Sequence, residues 1–191
     1  MSQLTKYALA QSLRKLLKER PLDKITVKDL VEDCGVNRQT FYYHFQDIYD
    51  LIAWSLNTEM NEILKNNNAM HSDLKTKFLL VFRYFEDNRQ IILNGFDSVN
   101  HMQYENIVEE YARTHLKEKL ALVPQSAFVS EEEREAIIDI YANGFSGLFL
   151  KWIERGMPEE YHVKLEYYFV LLEANLECVI DRFLQAKNEK N

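Results

Sequence analysis

The stretch from Ile25 to Phe45, ITVKDLVEDCGVNRQTFYYHF, decides the fold of this chain. Thr26, followed three residues later by Asp29, is the signature of a capping box at the start of a helix. Gly35 suits the left-handed backbone that ends a helix, and Asn37 is a good cap for the next one. The stretch therefore predicts two short helices joined by a tight turn, an arrangement that many regulators use to read DNA.

A motif in the second of these helices is more specific than the turn itself. It is Thr40-Phe41-Tyr42-x-His44-Phe45, preceded by Gly35-Val36 and followed by a helix that opens with Asp47-Ile48-Tyr49-Asp50-Leu51. On this evidence residues 25–51 resemble the DNA-binding domain of the TetR family of bacterial regulators. The resemblance implies an all-α fold, in which an N-terminal three-helix helix-turn-helix domain precedes a C-terminal six-helix bundle for ligand binding and dimerisation.

The distribution of charge agrees with two domains. We expect residues 1–46 to form the helix-turn-helix DNA-binding domain and residues 47–191 to form the helical effector-binding and dimerisation domain. Residues 1–50 carry a net charge of +1 and the remainder a net charge of −8. A DNA-binding chain with this balance has to concentrate its phosphate contacts in the N-terminal part.

Caps and helix-breaking residues predict the remaining helices. The chain has only five glycines and three prolines, which suits long helices, and no stretch alternates as a strand does. The expected helices cover about residues 4–19, two short segments within 26–45, then 47–64, 72–86, 89–93, 100–122, 130–153 and a last helix that ends near Gln185. Ser130 with Glu133 repeats the capping-box signature.

Outward positions of the second short helix are candidates for DNA contacts, while Val36, Phe41 and Phe45 should anchor it. Arg38 is suited to hydrogen-bond guanine, and Gln39 to pair with adenine. By resemblance, Thr40, Tyr42 and His44 match positions that usually contact phosphates, and Tyr43 matches one that contacts backbone or base. Thr26 and Lys28 match further phosphate- and base-contacting positions. Packing within the small domain (Tyr42, His44) and simple solvation (Arg38) remain the alternatives.

One position departs from the family pattern. The family commonly has a lysine just after the cap of the fourth helix, where this chain has Ile48. The departure predicts either weaker DNA affinity or compensation by Lys6 or Lys24.

The last helix carries a heptad seam. Apolar residues recur there at alternating intervals of four and three, at Leu165, Phe169, Leu172, Leu176, Val179 and Phe183. In the preceding helix, Gly144 and Gly147 are small enough to allow close backbone approach. Packing inside one chain and a four-helix dimer interface both fit this pattern. TetR-like proteins dimerise through their last two long helices, so the resemblance favours a homodimer and a palindromic operator in double-stranded DNA.

The resemblance also implies a small-molecule effector among the middle helices, and a shift of the fourth helix in response. Aromatic and polar residues at helical spacing supply the candidate pocket, although most such residues are ordinary core. They are Trp54, Phe78, Phe82, Phe85, Phe96, His101, Tyr104 and Tyr141. His101 and Glu105 are one turn apart, but a metal site normally needs more ligands. No metal or cofactor is therefore predicted.

Near the C-terminus a second run bears on the sign of regulation. Gly144-Phe145-x-x-Leu148-Phe149-x-Lys151-Trp152-Ile153-x-x-Gly156-Met157-Pro158 resembles a subgroup from low-GC Gram-positive bacteria. Some of that subgroup activate dihydroxyacetone-kinase genes through a protein partner. The expected function is a ligand-responsive homodimeric repressor. The alternative is an activator controlled by a protein co-regulator.

Other classes of protein find little support. The sequence has no nucleophile elbow, glycine-rich phosphate loop, paired-cysteine metal site or His-Glu-x-x-His helix, so no enzyme is predicted. A helical adaptor without DNA binding is a third possibility. No apolar run approaches the ~18 to 20 residues that span a bilayer, and no signal-peptide core is present. Two distant cysteines argue against a disulfide framework, so we expect a cytoplasmic protein without a membrane partner.

Overall fold

A computed structural model describes residues 2–96 and 101–189. In these ranges the chain forms nine α-helices and two short 3-10 turns, so the all-α prediction is confirmed. The helices are α1 (Ser2–Glu19), α2 (Val27–Cys34), α3 (Arg38–His44), α4 (Ile48–Asn66), α5 (Leu74–Asp87), α6 (Arg89–Gly95), α7 (His101–Ala121), α8 (Glu131–Glu154) and α9 (Tyr161–Asn188). The turns, Leu22–Lys24 and Pro124–Phe128, precede α2 and α8.

The described residues fall into two compact units. The first lies within residues 1–71 and 77–107, and the second within residues 72–76 and 108–191. The first unit therefore holds α4, α6 and most of α5 together with α1–α3, so a purely structural division does not fall at residue 46. The expected functional boundary between residues 46 and 47 stays a prediction.

Helix α1 is the centre of the first unit. It contacts α2, α3, α4 and α6 and buries Leu9 and Leu13 almost completely. The Ser12 hydroxyl adds a hydrogen bond of 3.3 Å to the Leu30 carbonyl of α2. Because α1 touches every one of these helices, its orientation fixes that of α2 and α3.

A proline explains a hydrogen bond between α1 and α6. In a continuing helix the Leu17 carbonyl would accept the N–H of residue 21, but Pro21 has none. The Asn94 side chain of α6 supplies the missing donor, with its Nδ2 2.7 Å from the Leu17 carbonyl oxygen. The residue that ends α1 thereby leaves an acceptor for a distant helix to satisfy.

Gly95, at the end of α6, lies under the side chain of Tyr104 from α7. A Cβ added to Gly95 would sit closer than 3.0 Å to the Tyr104 hydroxyl and 3.7 Å from Leu17 Cδ1. Tyr104 is itself buried, so its ring has little room to move aside. Glycine at this position is required by a close approach rather than by backbone conformation.

In the second unit, α8 and α9 pack around large aromatic side chains. Phe149, Trp152 and Phe169 are fully buried there. The Tyr168 hydroxyl donates to the Tyr141 carbonyl at 2.6 Å, which ties α9 to α8. At the other end of α9, Lys187 Nζ lies 2.7 Å from a Glu133 carboxylate oxygen.

No helix in the described residues is long and apolar enough to cross a membrane. Cys34 and Cys178 are both free thiols.

Candidate DNA-reading surface

The turn between α2 and α3 forms as its sequence predicts. The Thr26 hydroxyl accepts the Asp29 N–H and an Asp29 carboxylate oxygen accepts the Thr26 N–H, which completes the capping box of α2. Gly35 ends that helix at φ 71°, in the left-handed region. Asn37 then caps α3 through the Thr40 N–H at 2.8 Å. These local features fix where α2 begins and ends and where α3 begins.

Helix α3 has one buried face and one exposed face. Phe41 on α3 and Phe45 at its C-cap are buried, as the sequence predicts, and Val36 just before the helix is half-buried. On the outer face, Tyr43 is 81% and Tyr42 59% exposed, a degree of exposure that argues against core packing as their role. The other predicted contact residues of α3 are exposed (Arg38, Gln39) or half-buried (Thr40, His44).

His44 lies between the two faces. Its ring meets Tyr43 edge-on at 5.0 Å between centroids and lies 6.4 Å from the Phe45 ring. It therefore packs against the domain and also supports the exposed Tyr43 ring. The phosphate contact of His44 stays a prediction.

Two predicted contact hydroxyls are already engaged in the free protein. The Thr26 hydroxyl donates to Asp29 at 2.8 Å, and the Thr40 hydroxyl donates to Asn37 Oδ1 at 3.0 Å. The Thr26 bonds, the backbone one first, hold the pKa of the Asp29 carboxyl below its ordinary value. Lys28 is exposed and makes only a loose ion pair with Glu32, at 3.7 Å, so its charge is readily available.

Around Ile48, the structure distinguishes the two lysines proposed as substitutes. Lys6 Nζ lies 5.2 Å from the Phe45 ring centroid and 5.5 Å from that of Trp54, next to the turn between α3 and α4. Lys24 instead pairs with Asp23 at 3.1 Å. The aromatic faces hold the Lys6 ammonium at the turn where the family lysine is absent.

Much of the heptad seam of α9 is buried within a single chain, which favours intramolecular packing, the first of the two alternatives, for those residues. Four of its members are at most 3% exposed within a single chain: Leu165, Phe169, Leu172 and Leu176. Val179 and Phe183 are half-buried. A side chain already enclosed by its own chain has no surface left for a partner, and periodicity alone cannot tell the two kinds of burial apart.

Other sides of the same two helices carry exposed apolar residues. On α9 these are Val163, Tyr167, Val170 and Leu171, which are 51 to 65% exposed and recur at helical spacing. On α8, Ile140 is 72% exposed, and Gly144 and Gly147 follow it at intervals of four and three. A Cβ on Gly144 would make only an ordinary contact within the chain, and one on Gly147 none within 4 Å.

The predicted effector residues are divided between the two units. Trp54 packs against Tyr7 and Phe45, beside α1 and α3. Phe78, Phe82 and Phe85 are core residues at 1 to 2% exposure, and Phe96 meets Tyr104 edge-on at 5.2 Å. Tyr141 belongs to the second unit, and the side chain of His101 lies outside the described residues.

Two small spaces adjoin these candidates in the first unit. One of about 30 Å³ is bordered by Tyr104 and one of about 140 Å³ by Trp54, and both border Arg14. The smaller has room for one or two water molecules. The effector pocket therefore stays a prediction.

Sequence reasoning missed Arg14, which no local motif marks. It lies on α1 and hydrogen-bonds Glu59 of α4 and Tyr84 of α5, residues 45 and 70 positions away. Only the folded chain brings these groups together.

Comparisons with known proteins agree with this architecture. The profile of the bacterial regulatory proteins of the TetR family matches residues 11–53, and that of a TetR transcriptional regulator C-terminal region matches residues 72–173. Over 113 residues the chain is 25% identical to the HTH-type dhaKLM operon transcriptional activator DhaS of Lactococcus lactis subsp. lactis (strain IL1403). That alignment covers 56% of this chain and 60% of the relative's length.

A solved structure shares the fold. The dihydroxyacetone kinase operon activator DhaS superposes with a TM-score of 0.56 at 21% identity, over 91% of this chain and 97% of that one. At this identity the likeness bears on the fold alone.

The three-helix headpiece, α1–α3, with its exposed recognition helix α3, defines a helix-turn-helix DNA-binding regulator. The chain belongs to the TetR family of transcriptional regulators, with its N-terminal and C-terminal regions each matching that family. Family membership also confirms that it is a regulator rather than an enzyme.

Proposed function

We propose that two copies of this chain form a homodimer that binds a palindromic operator, with α3 of each copy in the major groove. The observation that carries the proposal is the exposed face of α3, where Arg38, Gln39 and Tyr43 project from a helix fixed by buried Phe41. Arg and Gln can each make paired hydrogen bonds to a base edge, worth about 1–3 kcal/mol of discrimination. The exposed tyrosines and Lys28 are then available for the DNA backbone.

The exposed apolar face of α8 and α9 supports the homodimer. Large apolar side chains in water, beside glycines that the chain's own packing does not require, are typical of a surface that another molecule covers. Glycine inside a helix lowers stability by roughly 0.5–1 kcal/mol relative to alanine. Two glycines at exposed positions of α8 therefore indicate a role other than helix stability. Close approach of a second α8 supplies that role. The heptad residues of α9 then form the core behind the interface.

Lys6 supports DNA binding at the position where Ile48 replaces the family lysine. Its ammonium group lies 5.2 Å from the ring centroid of Phe45 and 5.5 Å from that of Trp54, beside the turn where the recognition helix ends. We assign to Lys6 the phosphate contact that Ile48 cannot make. Asp47 and Asp50 at the same turn are engaged in hydrogen bonds at the start of α4.

The sign of regulation has two candidates. The family resemblance favours a ligand-responsive repressor, whereas the relative at 25% identity is named a transcriptional activator. That name favours activation, the alternative for which we expect control by a protein co-regulator. Transcription in vitro from a promoter that carries the operator, with and without the protein, separates the two.

Alanine substitution in α3 tests the proposal. The operator is first selected from a random DNA pool with the wild-type protein. Arg38→Ala and Tyr43→Ala should each weaken binding to it by roughly 5- to 150-fold, the equivalent of about 1–3 kcal/mol. Lys65→Ala is the matched control, since it removes one exposed positive charge from the far end of α4.

Two further measurements complete this test. Light scattering should show the same dimer for the wild-type protein and all three variants. Arg38→Ala should also relax discrimination at one base pair in each half-site. Unchanged affinity and base preference in both α3 variants would remove the basis of the proposal.

A further inference from the structure

Arg14 connects the headpiece to three other helices of the first unit. Its Nη1 donates to a Glu59 carboxylate oxygen of α4 at 3.2 Å and to the Tyr84 hydroxyl of α5 at 2.7 Å. Its Nη2 donates to the Asn88 side-chain oxygen, at the junction of α5 and α6. The Tyr84 hydroxyl in turn donates to the second carboxylate oxygen of Glu59. These four residues form the Arg14 cluster.

The groups of the Arg14 cluster hold one another in defined protonation states and orientations. Burial, followed by the charge of Glu59, raises the pKa of Tyr84, so its hydroxyl remains a donor. Burial tends to lower the pKa of Arg14, but Tyr84 and Glu59 outweigh it and the pKa rises. The Asn88 amide also donates to the Tyr84 carbonyl at 2.8 Å, which turns its oxygen towards Arg14. A guanidinium held from several sides keeps one orientation better than a single ion pair does.

A second connection lies one turn along α1. Asn94 of α6 binds the Leu17 carbonyl that Pro21 leaves open. Arg14 bonds through its side chain, whereas Leu17, three residues later, bonds through its backbone carbonyl. Two polar connections at different points along one helix resist its rotation as well as its sliding.

We propose that Arg14 is a positioning residue for operator binding, which sets the angle of the headpiece on α4–α6 and thereby the spacing of the two recognition helices. The inference rests on the homodimer of the proposed function. Helix α1 contacts α2 and α3 directly, so a rotation of α1 moves α3 with it.

The size of the effect follows from simple geometry. A rotation of about 10° acting over roughly 20 Å, the length of about 13 helical residues, moves the far end by about 3.5 Å. That displacement is about the rise of one base pair along DNA. Loosening the Arg14 cluster should therefore change which half-site spacing is preferred and leave the bases read within each half-site unaltered.

The test uses the selected operator with its half-sites unchanged and its central spacer altered by −1, +1 and +2 base pairs. The dissociation constant for each DNA is measured by fluorescence anisotropy on full-length protein. The wild-type protein should prefer its own spacer by at least about tenfold. In Arg14→Gln and Tyr84→Phe this preference should fall to less than about threefold, while single-base changes within a half-site keep their wild-type penalties.

Control variants separate positioning from general loss of stability. Arg113 of α7, in the second unit, makes a comparable set of ion pairs with Glu109, Glu135 and Asp139. Arg113→Ala should lower stability yet keep the spacer preference. Arg14→Lys keeps the charge but loses the branched donor set, so its preference should lie between those of wild type and Arg14→Gln.

The outcomes are distinct. Tyr84→Phe is the mildest variant. If it folds and prefers the wild-type spacer as strongly as the wild-type protein does, the positioning role is overturned, even if Arg14→Gln fails to fold. The positioning role would also be overturned if the variants lost their preference for the wild-type spacer and their discrimination of bases within a half-site to the same degree. If the wild-type protein shows no spacer preference, the paired reading of an operator fails first and this inference fails with it.

Discussion

Gly95→Ala should destabilise the protein only while Tyr104 keeps its hydroxyl. The new Cβ would lie closer than 3.0 Å to that oxygen, a distance at which the buried ring, Leu17 or α6 has to shift. Overpacking of this kind typically costs about 1–3 kcal/mol. Alanine is otherwise favoured over glycine in a helix by roughly 0.5–1 kcal/mol, so the expected net loss is about 1–2 kcal/mol.

The same Gly95→Ala substitution in a Tyr104→Phe variant tests whether the Tyr104 hydroxyl is the cause. Without the oxygen, the nearest atoms to the new methyl are at 3.7 Å, an ordinary van der Waals distance. Gly95→Ala should then be neutral or stabilising by up to about 1 kcal/mol, which leaves a coupling energy of about 1–3 kcal/mol between the two positions.

Urea unfolding of the wild type, the two single variants and the double variant measures that coupling. Circular dichroism follows the helices. All samples share one protein concentration, because the apparent stability of the proposed dimer would depend on it. Equal costs of Gly95→Ala with and without the Tyr104 hydroxyl would refute the reasoning. The cause would then be backbone strain in α6 rather than the close approach.

Two further predictions concern the proposed dimer surface and the headpiece. Leu171 is 60% exposed, so Leu171→Glu should give a folded monomer in analytical ultracentrifugation. Leu172 is 1% exposed, so Leu172→Glu should fail to fold. A stable dimer of the Leu171→Glu variant would contradict the assigned face. Because the pKa of Asp29 is lowered in the folded protein, its carboxylate stabilises the headpiece at every pH above the ordinary aspartate pKa of about 3.9. This contribution to the free energy of unfolding disappears as the pH falls through the lowered pKa. Asp29→Asn should therefore reduce the loss of unfolding free energy as the pH is lowered below about 4. If the unfolding free energy of the variant falls with pH as steeply as that of the wild type, Asp29 does not have this role.

Local features of the fold could be predicted from the sequence because their causes are local. Thr26 with Asp29 and Ser130 with Glu133 each form a capping box, as their spacing indicates. Gly35 adopts the left-handed conformation expected of it. Such features depend on neighbours within about four residues, which the sequence displays directly.

The contacts between distant helices could not be predicted in the same way. The heptad of α9 marks an apolar face but does not say whether the chain or a second copy covers it, and Leu172 shows that the chain does. Arg14 and Asn94 have no periodic signal at all, since their partners lie 45 to 77 residues away. Polar contacts of this kind can be identified only once the three-dimensional arrangement of the helices is known.

Pro21 has a consequence for building hybrid regulators. Because it withholds an N–H from Leu17, the headpiece carries an unmet acceptor that α6 has to satisfy through Asn94. A headpiece transplanted onto another bundle brings that requirement with it, and a recipient without an amide at the matching position would leave a carbonyl unsatisfied. Sequence exchange between such proteins is therefore expected to succeed when the boundary is drawn after α6 rather than after α3.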